Sequence, residues 1–422
     1  MLIMLMGTVD VLMLSQISDG SVAAVGLVNQ LLAMIFLIFI IAASGTLVVC
    51  SQYLGAQRYG DFLTTVNVSL LLNMLVGIVV SLALFWFGDN ILGMMKTDQS
   101  IFQDASIYLK IVGSFAIFHG MAVTVGNILR AREMAAYPMY ISIIANILNF
   151  LGNYGLIFGH FGLPAMGVAG AAWATVISRA VNLFLLLFIF YAKKVGKQRA
   201  KVCRDYKVKL KQILAIGVPG AGEMFSYLAS QVVILYFINM LGTDELAART
   251  YMTNIVTFSF IFAISLGQGT SILTGHLTGQ HKYHAALLIG AYATRWAVKI
   301  SISISLFLAL LSPLFIPYLT QNPTITKLCL ALFWVDITLE AGRAVNILTG
   351  RMLASVGDPL FPLRTSIIVV WSVATLGSFV VGIQLHFGLI GMWCMFLLDE
   401  NLRAAIQWRH WKQGKWMHKS IC

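Results

Sequence analysis

Charged residues are scarce in this chain. Only 10% of its 422 residues are Asp, Glu, Lys or Arg, whereas a soluble globular domain carries about 25%. Hydrophobic residues make up 59% of the chain, and its mean hydropathy is +0.86. This composition excludes an ordinary soluble protein and predicts an all-α membrane protein whose helices cross the bilayer many times.

Other absences narrow the function. The cysteines are scattered without paired spacing, so neither a disulfide framework nor a zinc site is predicted. There is no glycine-rich phosphate loop, nucleophile elbow or His/Glu metal pattern, so we expect no enzyme, no cofactor and no ATP-driven pump. We also expect no cleavable signal peptide. A gradient of H⁺ or Na⁺, or the gradient of the substrate itself, must then supply the energy.

Twelve apolar segments have the length of a bilayer span, at about 17–25 residues each. They run near 1–16, 23–53, 63–88, 104–128, 137–158, 166–192, 213–241, 247–276, 286–312, 325–350, 364–385 and 388–408. Lys and Arg concentrate in the loops after even-numbered spans, which places those loops and the C-terminus in the cytoplasm. The net charge of +12 lies mostly in these short loops, so we expect no nucleic-acid partner.

The chain also contains an internal repeat. Small or helix-breaking residues recur 224 positions later in one register along six spans: Gly45, Gly55 and Pro138 return as Gly269, Gly279 and Pro362. Six is an even number, so both copies have the same orientation in the membrane. The pattern predicts two six-helix lobes related by a parallel repeat, an arrangement found in secondary transporters.

The repeat divides the chain into predicted domains. We expect an N-lobe over 1–192, a basic cytoplasmic loop over 193–212, a C-lobe over 213–408 and a cytoplasmic tail over 409–422. The basic loop is expected to lie against anionic headgroups, and a solvated linker is an equally compatible interpretation. In this register span one starts where span seven is already half complete, so the first helix is predicted to be truncated.

Asp10 is the most informative polar residue. It stands in span one between apolar residues on both sides. A carboxylate within a span costs about 2.5–3.5 kcal/mol on insertion scales, so it usually marks a functional site. The alternative is a carboxylate that reaches water from a helix end. We favour a role for Asp10 in coupling or substrate binding.

Glu223 is a second acid within a span. Pro219 and three glycines precede or flank it in span seven, and such residues can loosen a helix and free backbone carbonyls for an ion. Span ten adds Glu340, Arg343 and Asn346, which are spaced to share one face. Glu340 can hold sodium jointly with Glu223, where Arg343 would repel the cation unless Glu340 neutralises it, or Glu340 and Arg343 form a fixed internal ion pair.

The amides of spans five and six are weaker candidates. Asn149 and Asn153 are four residues apart and face the same way, and Thr175 lies in the next span. Each such residue alone more often joins helices than binds a ligand. Together with Asp10 they predict a polar cavity in the N-lobe. The Asp399-Glu400 pair in span twelve is interpreted as interfacial.

Taken in order along the chain, these features resemble the multidrug and toxin extrusion (MATE) transporters. The matching residues are Val9-Asp10, the Gly55-Ala56-Gln57 end of span two, Gly279, the Asn149–Asn153 stretch, and Pro219 with Glu223. The likeness covers nearly the whole chain and implies two six-helix lobes that export amphipathic organic cations by antiport. It implies a monomer in contact with lipids in the bacterial plasma (inner) membrane.

Two departures from the family pattern bear on the coupling ion. Asn153 stands where proton-coupled members carry a span-five acid, and Arg343 stands where the sodium-using branch carries a span-ten acid. The resemblance therefore leaves two ions open. We favour protons through Asp10 and keep sodium through Glu223 as the rival. A flippase for a lipid-linked or amphipathic glycan precursor is the alternative function, although Arg179 and Arg343 are the only deep cations to hold its phosphates.

Overall fold

The computed structural model describes residues 9–195 and 205–421. These residues form helices joined by short turns, and no strand occurs among them. The first described helix, α1, covers 9–14. The prediction of a truncated first helix rests on the residues before it and falls outside the described range.

Long helices follow in chain order. They are α2 (Asp19–Gly55), α3 (Tyr59–Met94), α4 (Gln99–Ser114), α5 (Ala116–Ala131), α6 (Ala136–Phe158), α7 (Val168–Ala192), α8 (Tyr206–Leu241), α9 (Thr243–Gly279), α10 (Tyr283–Leu319), α11 (Pro323–Ser355), α12 (Leu360–Val369) and α13 (Gly388–Gln413). The α12 span continues in π-helical geometry over Val370–Thr375 and Ser378–Gln384, and a short 3₁₀ helix, Lys415–His418, follows α13.

From span two onward, each predicted span corresponds to one helix or to successive helical segments. Predicted span four is a bent pair, because α4 and α5 meet at 46°. Within the described residues, eight helices are long and apolar enough to cross a membrane, or nine with this pair counted as one span. Helices α11 and α13 carry more charged side chains, which lowers their hydropathy. The α2 helix has 37 residues, so at 1.5 Å per residue it extends about 55 Å, well beyond the hydrocarbon core.

The helix ends follow the repeat found in the sequence. The α2 and α9 helices end at Gly55 and Gly279, and α3 and α10 begin at Tyr59 and Tyr283, each pair separated by the same 224 positions. A Cβ atom on Gly279 would meet the carbonyl oxygen of Gln52. The recurring glycine therefore lets the last turns of α2 and α9 touch through their backbones.

The chain separates into two compact units. Unit 1 comprises Met1–Cys50 and Arg58–Gly217, and unit 2 comprises Ser51–Gln57 and Val218–Cys422. The core of unit 1 includes Leu14, Phe39 and Tyr108, all fully buried. The core of unit 2 includes Ile234, Met252 and Phe333. Each unit therefore has its own apolar core. Polar side chains buried in that core need hydrogen-bond or ion-pair partners within it.

Two peripheral segments are packed against the units. Helix α8 begins at Tyr206, inside the predicted basic loop, because Lys209 is buried and its Nζ lies 2.6 Å from Asp61 Oδ1. The predicted cytoplasmic tail packs onto unit 2. Trp411 and Trp416 are fully buried there with stacked rings 4.5 Å apart, so aromatic burial holds the C-terminal segment.

Candidate functional site

Asp10 lies at the centre of a buried polar cluster in unit 1. It is fully buried, and both of its carboxylate oxygens accept hydrogen bonds. Oδ1 accepts from Asn153 Nδ2 at 2.6 Å and from Asn149 Nδ2 at 3.3 Å. Oδ2 accepts from the hydroxyls of Tyr108 and Thr175, each at 2.8 Å. Four neutral groups from α4, α6 and α7 therefore surround one carboxylate.

Helix geometry explains this convergence. Asn149 and Asn153 are one turn apart on α6, so both amides face α1 and α7 from the same side. Asn149 Nδ2 also donates to Thr175 Oγ1 at 3.1 Å, which connects α6 to α7. The sequence predicted Asp10, Asn149, Asn153 and Thr175 as candidates, and the structure brings all four together. Their roles in transport remain predictions.

The amide oxygens of this cluster have unused acceptor capacity. Asn149 Oδ1 and Asn153 Oδ1 are buried and have no hydrogen-bond partner among the residues that the structure describes. An amide presents its nitrogen or its oxygen by rotating half a turn, and the two orientations look alike in shape. In the present orientation the two amides donate to Asp10, which suits an ionised carboxylate. After rotation their oxygens would face Asp10, which suits a protonated carboxyl or a bound cation.

A second polar group of unit 1 is organised around Phe36. The ring of His119 stacks on Phe36 with centroids 4.6 Å apart, and the guanidinium of Arg179 lies 5.3 Å from the ring centre. Two nitrogens of Arg179, Nε and Nη1, are buried without a partner among the described residues. The Phe36 ring therefore stabilises the Arg179 guanidinium through a cation–π interaction.

Unit 2 contains a cavity of about 330 Å³. Helices α8, α9, α11 and α13 contribute charged lining residues: Glu223, Arg249, Arg343, Asp399, Glu400 and Arg403. Aromatic side chains complete the wall: Tyr227, Phe260, Trp393 and Phe396. Its volume and its mixed lining are those of small-molecule pockets, which are mostly apolar with a few placed polar groups.

Most charges of this cavity belong to one ion-pair network. Arg343 pairs with Glu340 on its own helix and lies 3.5 Å from Glu400 through Nε. Arg403 pairs with Asp399 and lies 3.2 Å from Glu400. In such an ion-pair network the attraction between the charges offsets the free-energy cost of their desolvation only while every partner is present.

The network corrects one interpretation of the sequence. Asp399 and Glu400 are not interfacial, because both are buried in this network and Asn346 Nδ2 donates to Glu400 Oε2 at 2.7 Å. The predicted pairing of Glu340 with Arg343 is present. Asn346, a predicted cavity residue, also lines the cavity.

Glu223 stands apart from the network. It accepts a hydrogen bond from Ser366 Oγ at 2.7 Å, and it forms no ion pair among the described residues. Helix α8 continues through Pro219, and because proline has no N–H to donate, the loosening of the backbone before Glu223 stays a prediction. No group of three or more His, Cys, Asp or Glu side chains in the described ranges is arranged to hold a metal ion. Any Na⁺ at Glu223 would therefore need hydroxyl, amide or carbonyl oxygens as further ligands.

Comparison with known proteins decides the family. The MatE family model matches residues 1–155 and 219–380, which is most of the chain. This chain belongs to the MatE family. MatE proteins are multidrug efflux transporters, so the buried polar groups described above lie in a multi-pass membrane transporter with the family's twelve-helix fold.

Relatives support the MatE assignment over the full length. An uncharacterized transporter of Bacillus subtilis, YisQ, is 34% identical over 100% of this chain and 92% of its own length. The probable multidrug resistance protein NorM of Thermotoga maritima is 24% identical over 99% of this chain and 90% of its own. A crystal structure of MATE in the straight conformation has a TM-score of 0.89 at 18% identity, covering 99% of this chain and 94% of that one.

Sequence reasoning missed two residues of this MatE protein. Tyr108 donates to Asp10, but a single tyrosine in an apolar span carries no distinguishing pattern. Arg249 lines the unit 2 cavity from the second turn of α9. A basic residue this close to the start of a span usually sets topology, so its position carried no signal of a cavity role.

Proposed function

We propose that this MatE protein is a cation-coupled antiporter that exports amphipathic organic cations across the bacterial plasma membrane. The Asp10 cluster is the observation that carries the proposal. A buried carboxylate bonded by four neutral donors is a negative site that a proton, a sodium ion or a cationic drug can neutralise in turn. Buried acids within spans are costly and are kept for such functions.

The exchange follows from hydrogen-bond chemistry. An ionised Asp10 accepts from Asn149, Asn153, Tyr108 and Thr175, as described above. A protonated Asp10 becomes a donor and needs an acceptor, which a rotated Asn149 or Asn153 amide supplies. The same polar groups therefore accommodate both states, and alternating access converts their exchange into transport.

We propose protons as the coupling ion and keep sodium at Glu223 as the rival. A proton requires one acid, which Asp10 supplies. Sodium requires several oxygens, and around Glu223 the described partner is one serine hydroxyl. The positive charge of Arg343, which would repel sodium, is offset by Glu340 and Glu400.

The flippase alternative is less well supported. A lipid-linked substrate needs several basic groups free to bind phosphate, whereas Arg343 and Arg403 are paired with carboxylates, which leaves Arg179 as the deep guanidinium with unpartnered nitrogens among the described residues. The curated relatives from Thermotoga maritima and Pseudomonas aeruginosa are named as multidrug resistance proteins. We further propose a monomeric protein in contact with lipids, with its C-terminus in the cytoplasm, as the distribution of basic loops predicts.

Vesicles that carry only one gradient test the function. Ethidium export should follow a pH gradient alone, should persist in the Glu223→Gln variant, and should be lost in Asp10→Asn. Export driven by sodium alone that survives in Asp10→Asn would transfer the coupling role to Glu223. An absence of gradient-driven export for every cationic dye tested would contradict the antiporter proposal.

A further inference from the structure

One exposed side of α10 carries two basic residues inside a helix that is long and apolar enough to cross a membrane. Arg295 and Lys299 are one helical turn apart, and both side chains are exposed. Neither forms an ion pair with a carboxylate of the residues that the structure describes. Charges on a span are costly and indicate a functional site, so these two need a partner from outside the described chain.

Two aromatic side chains complete this side of the helix. The exposed rings of Tyr292 and Trp296 lie 6.3 Å apart in an edge contact, and Lys299 Nζ lies 5.0 Å from the centre of the Trp296 ring. A cation–π contact orients the ammonium without neutralising it. Tyrosine and tryptophan are enriched where a span meets the lipid headgroups. We call Tyr292, Arg295, Trp296 and Lys299 the α10 basic face.

The rest of α10 has the length and the surface of a hydrocarbon span. No charged residue occurs at positions 300–319, a length of about 30 Å at 1.5 Å per residue, which equals the thickness of the hydrocarbon core. The exposed residues Leu306, Leu310 and Leu314 continue the same side of the helix. The α10 basic face therefore lies at headgroup level, directly beside an apolar stripe that suits acyl chains.

The other copy of the repeat shows that the fold does not require these charges. Positions 224 residues earlier are Leu71 and Leu75 of α3, and both leucines are exposed. Leucine is favourable at a position that contacts lipid. The α10 helix therefore has two cations where the equivalent helix has ordinary lipid-contacting side chains, and they indicate a ligand of opposite charge.

We propose that the α10 basic face binds an anionic phospholipid of the cytoplasmic leaflet. The guanidinium fork of Arg295 binds phosphate oxygens, Lys299 adds a second positive charge, and the acyl chains lie along the leucine stripe. The distribution of basic loops assigns the turn before α10 to the cytoplasm, and the cytoplasmic leaflet has a negative surface potential. The proposal concerns the outer surface of unit 2 and is independent of the transported substrate.

Native mass spectrometry of the purified full-length protein tests the proposal, because it counts the lipids bound to each molecule. The protein in detergent is titrated with dioleoylphosphatidylglycerol or dioleoylphosphatidylcholine, which share their acyl chains and phosphate and differ in net headgroup charge. Each basic side chain near an anionic membrane surface strengthens binding about fivefold. We therefore expect the first phosphatidylglycerol to bind about thirtyfold more tightly than the first phosphatidylcholine.

Variants assign this preference to its residues. Arg295→Gln and Lys299→Gln should each weaken phosphatidylglycerol binding about fivefold, and the double variant should bind both lipids equally. Lys282→Gln is the matched control, because it removes an exposed charge from the turn just before α10 and leaves the basic face unaltered. It should keep the full preference. All three side chains are exposed, so the substitutions should leave the fold intact.

Four results would overturn the inference. Equal affinity of the unaltered protein for the two lipids would do so without any variant. A preference that persists in the double variant would place the site elsewhere, and an equal loss in Lys282→Gln would indicate a general attraction by net charge. A dimer that forms without added lipid and disappears in the double variant would assign the α10 basic face to a second copy of the chain.

Discussion

Replacing Asp10 by asparagine separates the charge of this residue from its packing. In Asp10→Asn the remaining carbonyl oxygen can keep the bonds from Tyr108 and Thr175, and the new amide nitrogen can donate to rotated Asn149 and Asn153 amides. The four hydrogen bonds to residue 10 are kept, but each rotated amide places its NH2 group where no acceptor lies among the described residues. We therefore expect a loss of about 1–3 kcal/mol in stability, smaller than when residue 10 has no polar group. Export should nevertheless fall to the level of cells without the transporter, because an asparagine at position 10 cannot bind and release a proton.

Asp10→Leu is the contrasting variant. It leaves the same hydroxyls and amides buried without an acceptor, and each unmet group costs about 1–3 kcal/mol. We expect a clearly lower melting temperature in detergent, in addition to lost export. The two variants should thus agree in ethidium efflux and differ in thermal stability.

A charge relocation refines the test. In the double variant Asp10→Asn with Asn153→Asp the carboxylate returns to the partner that lies 2.6 Å away. Partial recovery of export would show that the cluster needs a titratable acid and tolerates its displacement. Export at the unaltered level in the single Asp10→Asn variant would refute the reasoning, since Asp10 would then be structural.

Three further predictions concern stability. Glu340→Gln should destabilise unit 2 by about 3–5 kcal/mol in thermal unfolding, because Arg343 loses its closest ion-pair partner. An equal loss of stability in a control variant that removes an exposed charge would contradict this. Gly279→Ala should reduce the yield of folded protein, because its Cβ meets the backbone of another helix, whereas Gly269→Ala has open space within 4 Å and should be tolerated. Trp416→Ala should cost about 3–5 kcal/mol, the usual range for a buried aromatic residue, and a protease that cuts the tail equally fast in both forms would disprove that packing.

Much of the fold was predictable because single-helix properties determine it. Runs of apolar residues located the spans, and the repeating glycines anticipated the helix ends at Gly55 and Gly279. The pairing of Glu340 with Arg343 was predictable for the same reason, since both residues belong to one helix. Pro219 did not mark a helix end, because α8 continues through it.

The sites were only partly predictable because they are built between helices. Hydropathy places Asp10, Asn149 and Thr175 within spans, yet it does not state which helices touch. Tyr108 was missed for that reason. Glu400 was assigned to the interface because charges near span ends usually reach water, whereas here neighbouring helices supply it with ion-pair partners.

The repeat has a consequence for how the two halves came to differ. The copies share helix ends but differ at two polar positions 224 residues apart, where Asp10 corresponds to Ile234 and Thr175 to Asp399, whereas Arg179 recurs as Arg403. An aromatic platform is common to both, since Arg179 lies over Phe36 and Arg343 lies over the equivalent Phe260. Duplication of one ancestral half thus left a shared scaffold on which each copy specialised. A mutation in the polar site of one copy is therefore not compensated by the other copy.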